Sequence, residues 1–221
     1  MEKMRSRELF LEKEGSLTYD FVQSYMYPWE CLPHIKEFIL EIGKALPNEE
    51  YDRWGENIWV SPYATVSKTA HIGEYTIICK GAEVRHCAFI RGCAVVGRGT
   101  VVGNSTELKN CILFDNCQVP HYNYVGDSIL GKGAHMGAGS ITSNVKGDRS
   151  VIIMGNKIDT GLKKVGAFLG DFVEIGSGSV LNPGTVIGRK SRIYPLCSVR
   201  GYVPPNHIYK GDDNIIPINS I

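Results

Sequence analysis

An apolar residue recurs at every sixth position over most of the 221-residue chain, and this period limits the fold more than any other feature. A period of six fits neither an α-helix of 3.6 residues per turn nor a long strand of period two. It fits a coil of three short strands joined by turns, in which three hexads make one rung. The in-frame residues are Val60, Val66, Ile72, Ile78, Val84, Ile90, Val96, Val102 and Leu108, followed later by Leu169, Ile175, Leu181, Ile187, Ile193 and Val199.

A small or short side chain follows four residues after nearly every one of these apolar positions, for example at Ala64, Ala70 and Ala82. The apolar residue is expected to point into a prism, with the small residue at its corner. The 25 glycines fit a fold with many tight turns. The sequence therefore predicts a mainly β parallel β-helix of about seven 18-residue coils, from about Ile58 to Val203.

The first 55 residues have a different pattern and are predicted to form a short helical segment. Apolar residues recur there at helical spacing, with Pro33 near the start of the run and Pro47 at its end. A second, weaker helix is predicted from Leu17 to Tyr25. The domain division is thus 1–55 for the helical segment and 56–221 for the β-helix. The apolar residues at helical spacing between Pro33 and Pro47, with Leu32 just before them, are Leu32, Ile35, Phe38, Ile39, Ile42 and Leu46.

Composition excludes several classes of function. Lys and Arg number 24 against 23 Asp and Glu, so the net charge of +1 gives no electrostatic basis for binding bulk nucleic acid or an anionic membrane surface. The apolar runs are much shorter than the roughly 20 residues that span a bilayer, and the first residues have no apolar signal core. We expect a cytoplasmic protein with no nucleic acid or membrane partner.

The six-residue frame breaks in two places, and breaks of this kind often carry function. Leu108 and Val119 are eleven residues apart where two hexads need twelve, and the step from Val125 to Leu130 is again one residue short. The second break is a long excursion between Asn144 and Gly170. It predicts a protruding loop over 145–168 that contains a hairpin turning at Gly155 and Asn156, and we expect this loop to pack over a neighbouring subunit.

The seven cysteines include no C-x-x-C pair, so neither a disulfide framework nor a zinc knuckle is predicted. Cys93 and Cys111 are 18 residues apart, which predicts that they lie in register on neighbouring rungs. A stack of small turn residues explains this spacing better than a thiol nucleophile or a metal pair. No metal site is predicted.

The segment from Ser105 to Asn144 carries specific motifs within the breaks. They read E-L-K, V-P-H-x-x-Y-V-G-D and G-A-G-x-I-T, and G-D-F-V-E-I-G-S follows later. With the hexads, they resemble the left-handed parallel β-helix acyltransferases, and in particular the acetyltransferase domain of the bifunctional glucosamine-1-phosphate N-acetyltransferase and uridylyltransferase. The resemblance covers roughly Arg91 to Val199 and includes no uridylyltransferase domain. It implies a left-handed coil and an acetyl-CoA-dependent N-acetyltransferase acting on an amino-sugar phosphate or a nucleotide amino sugar.

The resemblance also implies roles for individual residues. His121 matches the general base that takes a proton from the acceptor amine, a step suited to imidazole near neutral pH. Asn144 falls at an asparagine of the acceptor site, and Lys163 is an alternative to Lys164. The residues matching contacts to the sugar phosphate are Arg91, Lys109, Tyr124 and Lys164, and those matching the acetyl-CoA groove are Ala138, Ser177 and Pro195.

One departure from the family pattern concerns the acceptor. His135 stands where the family has an asparagine that contacts the acceptor sugar, so the identity of the acceptor stays open. A role of His135 in specificity is favoured over a role as a second base. The family also implies a homotrimer with clefts between neighbouring coils.

Two other functions compete with acetyl transfer. One is a sugar-phosphate-binding or assembly module that keeps the fold without turnover. The other is zinc-dependent hydration, as in gamma-type carbonic anhydrases, but the six histidines include no H-x4-H pair of the kind that this family uses.

Overall fold

Residues from Ile58 onward form the coil that the six-residue period predicts. The computed structural model describes residues 2–155, 157–211 and 214–218. Short strands pair in parallel with the equivalent strands one coil before and one coil after them. The apolar residues of the hexads point into the prism: Val60, Val84, Ile90, Val102, Ile175 and Ile187 are all at most 2% exposed. The predicted fold class, a left-handed parallel β-helix with an N-terminal helical segment, is confirmed.

The strands stack on three faces, which we call A, B and C in chain order. Face A contains Ile58–Val60, Thr76–Ile78, Ala94–Val96, Ala167–Leu169, Thr185–Ile187 and Tyr202–Val203, and face C contains His71–Ile72, Phe89–Ile90, Ile141–Thr142, Val180–Leu181 and Ser198–Val199. Glu107–Leu113 and Tyr124–Leu130 run from face C round the corner into face A. Face B contains Thr65–Val66, Glu83–Val84, Val101–Asn104, Gln118–His121, His135–Met136, Glu174–Ile175, Arg192–Ile193 and His207–Tyr209. The described residues thus make seven complete coils and two faces of an eighth.

Face A is apolar on both sides, unlike faces B and C. The residue just before each inward-pointing residue points outward because side chains alternate along a strand. On face A these outward residues are also apolar and buried: Trp59, Ile77, Val95, Ile112, Ile129, Phe168 and Val186 are all at most 3% exposed. The N-terminal segment covers them, since its helices contact the strands of this face.

The N-terminal segment contains three short α-helices: α1 (Ser6–Leu9), α2 (Tyr19–Gln23) and α3 (Ile35–Ala45). The predicted helix from Leu32 begins as a 3-10 helix, Pro28–His34, and a further 3-10 turn covers Glu2–Met4. Phe10 stacks on Phe114 with ring centroids 5.2 Å apart, and Trp29 lies 5.9 Å from Phe168. The prediction that residues up to 55 are helical is wrong at its end, because Asp52–Gly55 is a strand that pairs antiparallel with Ile58–Val60.

A buried carboxylate anchors this segment to the coil. Asp171 accepts hydrogen bonds from the backbone N–H groups of Leu11 at 2.7 Å, Glu12 at 3.3 Å and Lys132 at 2.9 Å. Burial raises the pKa of the Asp171 carboxyl, while these hydrogen bonds lower it. The N-terminal segment is therefore held by a polar contact as well as by apolar packing.

The excursion after face C contains the predicted hairpin. Ile153–Met154 pairs antiparallel with Ile158–Asp159, and the turn begins at Gly155, while Asn156 lies outside the described residues. The loop is shorter than predicted, since the strand Ala167–Leu169 is already part of face A. Its buried side chains pack on the chain's own coil: a Cβ added at Gly184 would lie 2.8 Å from Sδ of Met154. Packing of the loop over a neighbouring subunit stays a prediction. The strand at the end of the chain, Ile215–Pro217, pairs antiparallel with His207–Tyr209.

Both missing residues of the hexad frame fall at one corner of the prism, between faces C and A. Leu108 pairs with Ile90, but Cys111 pairs with Ala94, so the corner between them is one residue shorter than the corner before it. The prediction that Cys93 and Cys111 are in register is therefore wrong by one position. Cys111 points into the prism and Cys93 remains in the corner, half-buried.

Candidate functional site

The corner between faces B and C carries His121 and all three predicted acetyl-CoA residues; we call it the His121 corner. His121, Ala138, Ser177 and Pro195 occupy the same place in four successive coils. Each carbonyl accepts a hydrogen bond from the next coil: Gly139 N–H donates to His121 at 3.0 Å, Gly178 N–H to Ala138 at 2.8 Å, and Leu196 N–H to Ser177 at 2.9 Å. These four residues therefore form one column parallel to the coil axis.

His121 is exposed, and its imidazole has no hydrogen-bond partner among the described residues. Its backbone is fixed by Asn123, which is only 2% exposed. The Asn123 side chain accepts a hydrogen bond from the His121 N–H at 3.1 Å and donates to the carbonyl oxygens of Gly137 at 2.9 Å and Ser140 at 3.1 Å. This buried amide, which the sequence analysis did not single out, locks the turn and leaves the imidazole free for a ligand.

The corner between faces C and A carries a hydrogen-bonded network around Asp127; we call it the Asp127 corner. The Asp127 side chain is 5% exposed and forms an ion pair with Nζ of Lys109, which lies 3.0 Å from each of its oxygens. Asn110 donates to the same carboxylate at 2.9 Å, and Asn144 also donates to it. The carboxylate thus has its charge compensated and its lone pairs occupied by the chain itself.

Tyr124 and Asn144, both predicted acceptor residues, meet at this corner. The amide of Asn144 donates to the Tyr124 hydroxyl at 3.1 Å. The Tyr124 ring lies over Gly126, where an added Cβ would overlap the hydroxyl. Burial raises the pKa of the Tyr124 phenol, and the negative charges of Asp127 and Glu107 raise it further. The hydroxyl therefore stays protonated and is available as a donor.

Arg91 lies at the same corner, two coils before Asp127. Its Nη1 forms a hydrogen-bonded ion pair of 2.9 Å with Oε1 of Glu107, and 48% of its side chain is exposed. A guanidinium has five N–H donors, so one bond to Glu107 leaves others for a ligand. The corner at Lys109 and Asn110 is one residue shorter than the corner at Arg91 on the coil before it. A cleft of about 450 Å³ lies beside Arg91 at this point. The cleft is lined by Glu74, Tyr75, Arg91, Gly92, Cys93, Lys109 and Asn110.

Lys164 stands at the base of the excursion. The N–H of the next residue, Val165, donates to the Asn144 carbonyl at 3.0 Å, which closes the loop. Lys163 and Lys164 are both exposed there, so the structure does not distinguish between them. Both lysines lie near the Asp127 corner, because the adjacent Val165 is hydrogen-bonded to the backbone of Asn144.

His135 lies apart from both corners. It points outward from the middle of face B, where its Nδ1 is 3.0 Å from Oε2 of Glu174 on the next coil. It is three positions before Ala138, which lies at the His121 corner. The structure therefore does not bring His135 together with Tyr124 and Asn144.

The two corners lie at opposite edges of face C. Five residue steps, through the turn at Tyr122, separate His121 from Gly126, which corresponds to at most about 16 Å at the usual rise per residue of a strand. Along the coil axis, the cations predicted to bind the acceptor and the residues predicted to bind acetyl-CoA lie on opposite sides of His121. Arg91 and Lys109 lie on earlier coils, whereas Ala138, Ser177 and Pro195 lie on later ones.

A second cavity lies at the Asp127 corner on the later coils, below the excursion. Its volume is about 840 Å³, and it contains two cationic side chains, Lys146 and Arg200. Nη2 of Arg200 donates to Asn182 at 3.2 Å, and Nζ of Lys146 donates to the Val151 carbonyl at 2.8 Å. The other lining residues are Ile153, Gly155, Asn182, Pro183, Gly184, Ser198, Gly201 and Tyr202.

Metal-binding clusters and membrane-spanning helices are both absent from residues 2–155, 157–211 and 214–218. These residues contain no group of three or more His, Cys, Asp or Glu side chains placed to hold a metal ion. None of the helices in these ranges has the length and apolar character needed to cross a membrane.

Comparison with known proteins supports the resemblance read from the motifs. A family model described as the GMPPB C-terminal domain matches residues 82–191. The "Bifunctional sugar-1-phosphate nucleotidylyltransferase/acetyltransferase" of Sulfurisphaera tokodaii is 33% identical over 101 residues, which are 44% of this chain and 25% of that protein. The "Bifunctional protein GlmU" of Methanococcus maripaludis is 35% identical over 107 residues, 47% of this chain and 26% of that protein. The chain therefore matches about a quarter of the length of these relatives.

Among solved structures, the chain is similar to the acetyltransferase domain of PglB from Neisseria gonorrhoeae, determined in complex with acetyl coenzyme A. The superposition covers 85% of this chain and 67% of that one, with 16% sequence identity and a TM-score of 0.36.

Proposed function

We propose that this chain is an N-acetyltransferase that moves the acetyl group of acetyl-CoA to the amine of an amino-sugar phosphate or a nucleotide amino sugar. The observation that carries the proposal is the column at the His121 corner. An exposed imidazole with no partner in the described chain stands in line with three positions of small or ring side chains on successive coils. An extended thioester could lie along this column, with its reacting carbonyl next to the imidazole of His121.

His121 is proposed to act as the general base. An ammonium ion has no lone pair, so the acceptor nitrogen must lose a proton before or while it attacks the thioester carbonyl. The first proton of the ammonium ion leaves to solvent. The imidazole takes a second proton from the attacking nitrogen as the C–N bond forms, and the C–S bond of the tetrahedral intermediate then breaks. The proton passes to the departing thiolate, which leaves the imidazole neutral for the next cycle.

Donor and acceptor are proposed to approach His121 from opposite directions along the axis. Ala138, Ser177 and Pro195 would hold the pantetheine arm on the later coils. The cavity with Lys146 and Arg200 lies at the same level at the Asp127 corner, so in an assembly that brings the two corners together a neighbouring copy would offer cations for the phosphates at the far end of the donor. Arg91, Lys109, Tyr124 and Asn144 would hold the acceptor from the Asp127 corner, with Lys164 or Lys163 beside them.

The site is proposed to be shared between copies of the chain in a homotrimer. An amino-sugar phosphate cannot reach across face C between the two corners of one chain, which are up to about 16 Å apart. A threefold assembly would bring the His121 corner of one copy against the Asp127 corner of the next. Face A takes no part in that contact, since the N-terminal segment already covers it.

The test is a thiol-release assay with acetyl-CoA against a panel of amino-sugar 1-phosphates and nucleotide amino sugars, with product identified by mass spectrometry. One or more phosphorylated amino sugars should be N-acetylated, and the free thiol should match the product in amount. Binding of a sugar phosphate with no thiol release on any acceptor would point to the non-catalytic module instead. Binding of neither acetyl-CoA nor any sugar phosphate would contradict both functions.

A further inference from the structure

Of the three cations predicted to hold the acceptor phosphate, the two that line the cleft are already paired with carboxylates of the chain. Lys109 is paired with Asp127, and Arg91 with Glu107. Glu74 also lines the cleft at this corner, so the lining residues and their partners bring three negative charges against two positive ones. A phosphate dianion entering the cleft needs a further positive charge, because each existing cation is compensated.

A third cation reaches the cleft from outside the coil. Nζ of Lys36, on helix α3 of the N-terminal segment, lies 4.2 Å from the centre of the Tyr75 ring, and Tyr75 lines the cleft. Lys36 is exposed, and no carboxylate of the described residues lies within ion-pair distance of it. Lys36 is thus an unpaired positive charge at the edge of a cleft in which both lining cations are already paired.

The position of Lys36 is fixed by the packing of α3. Ile35 and Ile39 of this helix are fully buried, so the helix cannot shift without exposing them. Just before the helix, the carbonyl of Leu32 accepts a hydrogen bond from Asn110, another cleft residue, at 3.4 Å. The charge of Lys36 also acts inside the cleft: burial raises the pKa of the Cys93 thiol, and the charges of Lys36 and Lys109 oppose this.

We propose that Lys36 binds the phosphate of the acceptor, and that the N-terminal segment therefore completes the acceptor site as well as covering face A. This inference rests on the proposed function and adds a specificity residue to it. Motif comparison cannot find Lys36, because the family match begins at residue 82. The free ammonium binds one phosphate oxygen, while Arg91 contributes the N–H groups that Glu107 does not use.

The test compares Lys36→Met with Lys36→Arg and with the control Lys44→Met, which removes an exposed lysine from the end of the same helix. Each variant is assayed with a phosphorylated amino-sugar acceptor and with the same amino sugar lacking its phosphate. Lys36→Met should raise the KM for the phosphorylated acceptor by about ten- to a hundredfold, the range for a lost hydrogen bond to a charged group. The KM for the unphosphorylated sugar and for acetyl-CoA should stay unchanged, Lys36→Arg should retain most of the affinity, and Lys44→Met should match the wild type.

An equal KM of Lys36→Met and wild type for the phosphorylated acceptor would overturn the inference and leave the proposed function standing. An equal rise for both acceptors would also overturn it, since that pattern indicates a distorted cleft and not a lost phosphate contact. Calorimetric titration with glucosamine 1-phosphate separates the inference from turnover. Binding by the wild type that is lost in Lys36→Met supports a phosphate contact even where no acetyl transfer occurs.

Discussion

The two corners that border face C differ in how their polar side chains are paired. At the His121 corner the polar side chain points to solvent, and apolar neighbours in the column stay open, with Tyr122 66% and Leu196 84% exposed. At the Asp127 corner, Lys109, Asn110 and Asn144 enclose a buried carboxylate. The imidazole of the first corner is unpaired among the described residues, whereas the side chains of the second are paired with one another, and the proposed acceptor would bind to this preformed network.

The motif V-P-H-x-x-Y-V-G-D joins these two corners. It runs from Val119 to Asp127, so it contains the proposed base near its start, crosses face C and ends at the carboxylate. Asn123 and Gly126 inside it fix the two turns. A single stretch of nine residues thus specifies a free imidazole at one edge and a rigid network at the other.

The largest expected effect is on catalysis at the open corner. His121→Ala should lower the rate of acetyl transfer by about 10² to 10⁴ and leave the affinity for acetyl-CoA nearly unchanged, because loss of a general base affects the transition state. His86→Ala is the matched control, since His86 lies two coils earlier at the same corner and its Nδ1 is bonded to Thr69 at 2.6 Å. Equal rates in the two variants, measured by thiol release, would contradict a general-base role for His121.

The next effect is on stability at the closed corner. Asp127→Ala should lower the free energy of unfolding by about 3 kcal/mol, because it leaves the Lys109 ammonium and two amides without their acceptor in a mostly buried site. Glu107→Ala removes the carboxylate of the exposed pair with Arg91 and should cost less than about 1 kcal/mol. Urea denaturation of both variants measures these losses. His121→Ala serves as the control, because its free energy of unfolding should lie within about 0.5 kcal/mol of the wild type. A loss in Asp127→Ala no greater than in Glu107→Ala would contradict a structural role for this network.

The smallest expected effect concerns pH. The folded chain holds the Tyr124 proton more tightly than the unfolded chain, whose phenol has the ordinary pKa of 10.0. Ionisation of the unfolded state therefore begins first, and stability should fall as the pH rises through 10 and beyond. Tyr124→Phe should show a shallower fall than the wild type between about pH 9 and 11, while Tyr63→Phe, at an exposed tyrosine, should follow the wild type. Identical slopes in wild type and Tyr124→Phe would show that Tyr124 does not contribute.

Much of the fold could be predicted because the inward residues repeat in a single frame. The apolar exterior of face A was missed, although every third hexad also has an apolar residue just before its inward one, as at Ile77 and Val95. This additional apolar residue marks the face whose outer surface must be covered by another part of the chain. The register of Cys111 could not be predicted either, because the hexad count shows that a residue is missing but not at which corner.

The site could be predicted in part. The motif identifies His121 and the column that follows it, but the charge balance at the Asp127 corner depends on side chains from different coils. Lys109 and Asp127 are 18 positions apart, and Lys36 arrives from a segment outside the repeat. Pairings of this kind become visible only when the coils are stacked.

The central claim is that the donor lies along the His121 corner, and a crystal structure of the protein with acetyl-CoA tests it most directly. The pantetheine arm should run past Pro195, Ser177 and Ala138 in that order, with the thioester carbonyl beside the His121 imidazole. Its phosphates should lie toward the later coils. A donor bound at another corner, or with its thioester on the far side of Pro195 from His121, would contradict the account.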